Sequence, residues 1–399
     1  MEENEIEPKK FIKNICSKFG SRPSCSESSR QAARYLKSKF KKYCDKVELE
    51  KFNGYPDFAR PFIGYPMITT VLYIIALGFY FFIPIISLIS LILSIYASVF
   101  KLFSLEEYDF FYYLYPKRTG INVIGKILPE SSPKKLVILG GHHDSPYYFP
   151  LYWKLKKKTV YYVYFLVIFV IIFVILIILE IISQFLFGFN LIITSLDYFL
   201  IIPVIGVGLL LIFGLYFISP FKTLGANDNL SGVSICYSVA QKLSELKLEQ
   251  TEVWIISFDS EETGMRGSKL FVKRRLKELN NRLTACINFD IVGVDDYILL
   301  PIKESMYRAK HSSLVYNKYK KAADNLNIEC EIEKLSFGGT DSASFSRKDL
   351  PAASVLRLQK NRFPSVWHSK NDTPKRIDNK KLKQIRDITL EFLLIIDQD

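Results

Sequence analysis

The sequence predicts an α/β fold with a mixed, mostly parallel sheet, helices on both faces of that sheet, and about four transmembrane helices inserted as two hairpins. Three observations predict it. Strand candidates alternate with helix candidates in the polar parts of the chain, several strands are apolar on both faces, and long segments carry no charge. Strands that are apolar on both faces are typical of sheets covered by helices on both sides. The 399 residues allow more than one domain.

The first charge-free segment, 61–100, is about twice as long as a single membrane-spanning helix, which needs roughly 20 residues. Gly78 and Pro84 lie near its middle, where a turn between two helices is expected. We therefore predict a first transmembrane hairpin over 61–103. Because its halves are short and its turn is apolar, the sequence leaves open whether this hairpin crosses the membrane or only enters it.

A second apolar region covers 160–179 and resumes over 198–221. The two parts are separated by Glu180, Gly188, Asn190 and Asp197. This pattern predicts a second transmembrane hairpin over 160–221. Core helices of a large soluble protein are the alternative interpretation, but isoleucine-rich segments of this length without a charge are typical of membrane spans.

Basic residues mark one side of both hairpins, while the far turns contain no lysine or arginine. The flanking residues are Arg60, Lys101, Lys117, Arg118, Lys154, Lys156, Lys157, Lys158 and Lys222. Because short cytoplasmic loops are enriched in lysine and arginine, we predict that the polar domain is on the cytoplasmic side. The N-terminal segment lacks the apolar stretch of a signal peptide. The six cysteines, without C-x-x-C spacing, are expected to be reduced.

The formal net charge of +13 is compatible with binding to nucleic acid or to anionic lipid. Much of this charge lies beside the predicted spans, where anionic headgroups account for it. The sequence shows no nucleic-acid-binding motif. We therefore predict the lipid bilayer as a partner and no binding of nucleic acid.

The polar pieces 1–60, 104–159 and 222–399 are predicted to form one discontinuous domain that the hairpins interrupt. Its strand candidates are 46–52, 121–128, 135–140, 252–258, 285–291, 297–302, 328–335 and 352–358, and its helix candidates are 26–42, 228–246, 267–278, 312–325 and 380–396. Open α/β sheets place their sites beyond the carboxyl ends of the strands, so functional residues are expected there.

Residues of the types that bind zinc occur at the ends of successive predicted strands and in the loops that follow them. They are His142, His143, Asp144, Asp228, Glu261, Glu262, Asp290 and His368. Imidazole and carboxylate groups are zinc ligands, and two zinc ions can share one carboxylate. A lone histidine is more often a surface or core residue, so the joint pattern indicates a zinc site rather than any one residue.

Five strings resemble the motif set of the di-zinc aminopeptidase family, and they occur in the family's order: GHHDS, GANDNLSGV, DSEETGMRGS, NFDIVG and WHSKNDTPKRID. The resemblance covers nearly all of the chain outside the charge-free segments. The family includes bacterial leucyl aminopeptidases, glutamate carboxypeptidases, glutaminyl cyclases and the non-enzymatic transferrin receptor. The resemblance implies a zinc-exopeptidase fold and two bound zinc ions.

The resemblance also implies a role for each matching residue. His142 and Asp290 would bind one zinc ion, and Glu262 and His368 would bind the other. Asp228 would bridge the two ions.

Two further roles follow from the same resemblance. Glu261 would be the general base toward a hydroxide that bridges the two metals, and Asp144 would orient the ring of His142. His143 is an alternative ligand, although the His-x-Asp spacing favours His142. His311 lies outside the motif strings and is expected at the surface.

The leading prediction is a membrane-anchored, zinc-dependent metallo-exopeptidase, specifically an aminopeptidase acting on peptide or protein N-termini. A glutaminyl-cyclase-type acyl transferase and a catalytically inactive receptor or adaptor are the alternatives. Retention of all the implied ligands and of Glu261 argues against the inactive alternative. The second hairpin is inserted between His142 and Asp228, so it either brings the active-site mouth close to the membrane or is a simple anchor.

Overall fold

The computed structural model describes residues 7–60, 64–103, 114–188 and 197–399. The chain divides into two compact units. The sheet unit consists of Met1–Pro56, Lys117–Pro146 and Lys222–Asp399, and the helical unit of Asp57–Pro116 and Tyr147–Phe221. The predicted far turn at Asn190, the first residues of the first hairpin and the start of the polar piece 104–159 lie outside the described residues.

The sheet unit is built on nine strands: β1 Lys46–Gly54, β2 Arg118–Ile127, β3 Lys135–His142, β4 Thr251–Phe258, β5 Leu283–Asp290, β6 Tyr297–Glu304, β7 Ala309–Lys310, β8 Glu331–Leu335 and β9 Ala352–Leu358. They are ordered β1-β2-β4-β3-β5-β9-β6-β7, and β8 pairs with β6. The central strands β4, β3, β5 and β9 run parallel. The pairs β1–β2, β2–β4, β6–β7 and β6–β9 are antiparallel. The parallel centre places the carboxyl ends of β3, β4 and β5 at one edge of the sheet.

Helices account for most of the other described residues. In the described residues they are α1 Pro8–Phe19, α2 Glu27–Phe40, α3 Tyr65–Phe79, α4 Pro84–Phe103, α5 Pro150–Leu155, α6 Thr159–Phe187, α7 Ile201–Tyr216, α8 Leu230–Leu243, α9 Arg266–Arg282, α10 Ser313–Asn325, α11 Ser342–Ser346 and α12 Asn379–Gln398. Helices α3 to α7 belong to the helical unit, and the others belong to the sheet unit.

The central strands are buried on both faces because successive side chains point in opposite directions. In β3, Val137 and Leu139 join a core that includes residues of α1, α2, α8, α10 and α12. Leu136 and Ile138 join a second core that includes Phe271 of α9 and Phe345 of α11. The predicted α/β sheet with helices on both faces is therefore confirmed.

The predicted elements of the sheet unit are present with small shifts at their ends. Most of the elements that the sequence did not predict are short. Strand β7 spans two residues and α11 spans five, which is too short to leave a periodic pattern. Helix α1 is longer, and its buried Phe11, Ile12 and Ile15 follow helical spacing. All six cysteines are free, as predicted.

The prediction of about four transmembrane helices is wrong for the described residues, which contain two helices long and apolar enough to span a membrane. These are Tyr161–Phe187, with mean hydropathy 3.6, and Asp197–Gly214, with mean hydropathy 2.2. Two other apolar helical segments, Tyr65–Phe79 and Pro84–Ser98, are shorter. At 1.5 Å per residue, the 15-residue α3 extends only about 22 Å, less than the roughly 30 Å of a bilayer core.

Helices α3 and α4 form a hairpin through polar as well as apolar contacts. The Ser87 hydroxyl donates to the main-chain oxygen of Ala76 at 2.6 Å, and the Ser94 hydroxyl donates to that of Thr69 at 2.8 Å. Small side chains with hydroxyl groups are typical of close helix contacts in an apolar environment.

Candidate metal centre

Strand β3 delivers the first candidate ligand, His142, at its carboxyl end. The preceding Gly141 allows α8 to approach closely: a Cβ there would lie 2.8 Å from the main-chain carbon of Gly232 and 2.9 Å from the main-chain nitrogen of Val233. Asp228 lies just before α8 and is therefore brought beside His142.

The residues that sequence motifs nominate as ligands, together with Glu261, form three overlapping groups. In each group the potential ligand atoms lie within 4.8 Å of one another. The groups are His142 with Asp228 and Asp290, His142 with Glu261 and Glu262, and Asp228 with Glu262 and His368. Segments that are far apart in the sequence thus converge at the carboxyl ends of the central strands.

Asp228 lies between the two histidines. Its Oδ1 is 3.3 Å from His142 Nε2, and its Oδ2 is 3.4 Å from His368 Nε2. Glu262 Oε2 is 3.2 Å from His368 Nε2, whereas Asp290 Oδ1 is 4.0 Å from His142 Nε2. A carboxylate that directs one oxygen toward each histidine has the arrangement that a bridging ligand requires.

Glu261 is close to the ligand group and is largely buried. Its Oε2 lies 3.8 Å from His142 Nε2, and its side chain is 12% exposed. The side chains of Glu262 and His368 are 9% and 10% exposed. All three side chains are thus about equally buried.

Asp144, in the loop after β3, connects His142 to the loop after β4 that carries Glu261 and Glu262. The His142 Nδ1 lies 3.1 Å from the main-chain oxygen of Asp144 and 3.3 Å from its Oδ1. Both are acceptors, so Nδ1 carries the proton and Nε2 directs its lone pair toward the carboxylates. Asp144 also accepts hydrogen bonds from the main-chain N–H groups of Glu261 and Glu262, each at 3.2 Å, and from the Ser24 hydroxyl at 2.6 Å.

Two supporting residues were not predicted. Asp372 accepts hydrogen bonds from the main-chain N–H groups of Asn227, at 2.6 Å, and Asp228, at 3.1 Å. Buried Arg22 donates to the main-chain oxygens of His143, Gly20 and Gly225 at 2.6 to 3.1 Å. Asp372 lies within the WHSKNDTPKRID string, so its position carried a signal, whereas nothing in the sequence around Arg22 indicates its contacts.

The other two histidines lie outside the ligand groups. His143 directs Nδ1 to the Ser257 hydroxyl at 2.8 Å, and burial lowers its pKa to about 3. The prediction that His311 is a surface residue is wrong: it is 3% exposed and forms hydrogen bonds with Ser346 and Glu304. Glu304 lies on the preceding strand β6 and Ser346 comes from α11, 35 residues further along the chain, so the residues next to His311 gave no indication of its burial.

The cluster concentrates negative charge in a buried place. Burial raises the pKa values of Glu261, Glu262 and Asp290 well above their ordinary range, and neighbouring carboxylates raise them further. Burial alone would lower the pKa of His142, but the neighbouring carboxylates of Asp144, Asp228 and Glu261 raise it overall. Ionised carboxylates at such a density are stable only with cationic partners, and divalent ions supply that charge.

Several buried polar atoms of the cluster lack ordinary partners. His142 Nε2, Asp228 Oδ2 and Glu262 Oε1 make no hydrogen bond to another described residue. Buried polar atoms are otherwise hydrogen-bonded in the great majority of cases. Convergent imidazole and carboxylate lone pairs fit the ligand preference of Zn²⁺.

The fold and the cluster together define the class: an α/β protein with the zinc-aminopeptidase fold. Comparisons with known proteins agree. Residues 212–393 match the family model described as peptidase family M28. Aminopeptidase YwaD of Bacillus subtilis (strain 168) is 23% identical over 171 residues, which are 42% of this chain and 37% of that relative. The match therefore spans well under half of the relative's length.

Solved structures extend the similarity of fold over nearly the whole chain. A zinc aminopeptidase from Bacillus subtilis has a TM-score of 0.60 at 14% identity, covering 98% of this chain and 94% of its own. A glutaminyl cyclase from Bacteroides thetaiotaomicron, bound to N-acetylhistamine, has a TM-score of 0.56 at 16% identity, covering 97% and 96%. The resemblance to the di-zinc exopeptidases is confirmed, and these relatives support the prediction of a zinc-dependent metallo-exopeptidase.

Proposed function

We propose that this chain is a membrane-anchored di-zinc metallopeptidase that removes residues from peptide N-termini. The observation that carries the proposal is the position of Asp228, whose two carboxylate oxygens face His142 and His368 at 3.3 and 3.4 Å. A single site would need only one of these contacts. A shared carboxylate accounts for both.

His142 and Asp290 would hold one ion, Glu262 and His368 the other, and Asp228 would contribute to both. When bound, a pair of zinc ions polarises a carbonyl group, lowers the pKa of water and stabilises negative charge. The remaining chemistry belongs to side chains of this chain.

Glu261 would move the proton. Its carboxylate is placed to accept a proton from the attacking water and to return it to the nitrogen of the leaving amine. Its raised pKa, caused by burial and by Asp341 and Asp290, favours acceptance of that proton. The main-chain N–H groups of Glu261 and Glu262 donate hydrogen bonds to the Asp144 carboxylate, and these bonds would hold the adjacent side chains in divergent directions.

The choice of an aminopeptidase is supported by the aminopeptidases of Bacillus subtilis to which the chain is similar. The glutaminyl cyclase relative shares the same fold, so the two activities are separated by substrate. We propose a peptide with a free N-terminal amine as substrate.

Exposure supports the membrane part of the proposal. In the apolar 18-residue stretch of Tyr161–Phe187 only 17% is buried, and in that of Asp197–Gly214 only 22% is buried. Core helices of soluble proteins are mostly buried, whereas lipid-facing helices expose apolar side chains on most sides. Lys154, Lys156 and Lys158 precede the long helix α6, and by the enrichment of basic residues in cytoplasmic loops we propose that the sheet unit is cytoplasmic.

The test is purification in detergent followed by metal analysis and a panel of peptides. We expect zinc to co-purify, and we expect cleavage of peptides with a free N-terminus but not of N-acetylated ones. Release of ammonia from peptides with N-terminal glutamine, without cleavage of any peptide, would contradict the proposal and favour acyl transfer. Absence of both activities in zinc-loaded protein would favour an inactive receptor or adaptor.

A further inference from the structure

An open surface cavity lies apart from the candidate metal centre. It has a volume of about 510 Å³ and is bordered by Pro351, immediately before β9. This is the amino-terminal end of β9, whereas Asp290 lies at the carboxyl end of the parallel strand β5.

The floor of this cavity contains a buried histidine held by hydrogen bonds. His311 Nε2 lies 3.1 Å from Glu304 Oε1, and its Nδ1 lies 2.8 Å from the Ser346 hydroxyl oxygen. With Nε2–H donating to the carboxylate, Nδ1 accepts from the Ser346 hydroxyl. His311 and Ser346 line the cavity, and Glu304 lies behind them, fully buried.

Glu304 is itself fixed by several donors. It accepts hydrogen bonds from the Thr340 main-chain N–H at 3.0 Å, from the Thr340 hydroxyl at 2.7 Å, and from the Ser354 hydroxyl at 3.1 Å. The His311–Ser346 pair therefore rests on a carboxylate that cannot shift without breaking several bonds. Such a floor is organised before any ligand arrives, which lowers the cost of binding.

The rim of the cavity is positively charged. Arg308, Lys310 and Arg347 line it, all exposed, and Asp349 is the one carboxylate among the lining residues. Guanidinium and ammonium groups recognise phosphate and carboxylate oxygens through charge-assisted hydrogen bonds.

We propose that this cavity is a second ligand site, which binds a small molecule carrying an oxyanion, either a phosphate or a carboxylate. The ligand's oxyanion contacts the three basic side chains that line the cavity. This site is independent of the metallopeptidase function proposed above.

Titration of inorganic phosphate into the zinc-loaded, full-length protein in detergent, followed by isothermal calorimetry, tests the site. The test variant is the double change Arg308→Gln and Arg347→Gln. The matched control is Lys348→Gln, which removes an exposed charge beside Arg347 but not from the cavity lining. Any phosphate bound by zinc stays in both variants, so the difference between them reports on the cavity.

We expect saturable binding that weakens about tenfold or more in the double variant and is unchanged in the control. The same comparison with succinate distinguishes the two oxyanions: a loss confined to one of them assigns the ligand class. Equal binding of both probes by the wild type and the double variant would overturn the proposal, as would no saturable binding of either up to about 10 mM. Unchanged thermal midpoint and zinc content in the double variant confirm that it is folded.

Discussion

Asp228 shows how single side chains determine the chemistry of this molecule. It is buried, its main-chain N–H is held by Asp372, and its two oxygens face different histidines. The sequence separation of His142 and His368 does not by itself predict that they lie on either side of one carboxylate. The bridging position proposed for Asp228 therefore depends on the loop before α8.

Glu261→Gln is the direct test of the proposed base. Glutamine keeps the size of the side chain but cannot accept the proton, so we expect zinc content to be retained and peptide hydrolysis to fall by a factor of about 10² to 10⁴. Steady-state kinetics and metal analysis on the same preparation check this. Glu245→Gln, on a side chain that is 70% exposed, is the control. Near-normal turnover in Glu261→Gln would show that the base is misassigned.

Asp372→Asn tests a supporting contact. Asparagine keeps only one acceptor oxygen, so it cannot accept from the main chain of both Asn227 and Asp228. We expect zinc affinity to fall by about 10- to 100-fold, the usual effect of removing a group that orients a ligand. Competition with a fluorescent chelator measures it, and Asp296→Asn, on a side chain that is 93% exposed, is the control. An affinity equal to that of the wild type would remove Asp372 from this role.

The nominated ligands could be predicted because each lies in a short string with neighbours of a recognisable type. Arg22 could not, since its role consists of bonds to main-chain oxygens of His143 and Gly225, far away in the sequence. His311 is a similar case, because its partner Ser346 lies 35 residues away and is brought to it by α11. Local patterns identify chemistry, but they do not identify partners that only the fold brings together.

At the scale of elements, the contact between β3 and α8 positions the site. Gly141→Ala would place a Cβ against the main chain of Gly232 and Val233 at under 3 Å. Main-chain atoms cannot rotate away, so we expect a loss of about 1–3 kcal/mol in the free energy of unfolding and lower zinc content. Thermal melts and metal analysis measure both. Gly78→Ala, with no atom within 4 Å of the new Cβ, is the control, and equal melting of the two variants would contradict this account.

The strands of the sheet unit were predictable because buried strands leave apolar runs of characteristic length. The apolar segment 61–100 was harder to interpret, because composition alone does not fix where one helix ends and the next begins. In the structure, α3 ends at Phe79 and α4 begins at Pro84. The 15-residue α3 and the apolar segment Pro84–Ser98 of α4 are shorter than a membrane span, so among the described residues α6 and the Asp197–Gly214 segment are the candidates long and apolar enough to cross a membrane.

At the scale of the whole molecule, the helical unit is expected to hold the protein in the membrane. We expect the protein to sediment with membranes and to resist extraction at alkaline pH, because exposed apolar side chains of α6 would have to enter water. Detergent should release it. Release by alkaline carbonate alone would contradict membrane insertion.

The side of the membrane is checked separately. Lys134→Cys places a thiol on an exposed position of the sheet unit. In intact cells a membrane-impermeant maleimide should label it only after permeabilisation, and the wild type provides the background from the native cysteines. Labelling of intact cells would place the sheet unit outside.

The account as a whole depends on two ions bound by groups from distant parts of the chain, and zinc stoichiometry measures this most directly. We expect about two zinc ions per wild-type chain and fewer in His368→Ala, measured by mass spectrometry of the metal in purified, folded protein. A wild-type chain that binds no zinc, or a His368→Ala variant with the wild-type zinc content, would contradict it.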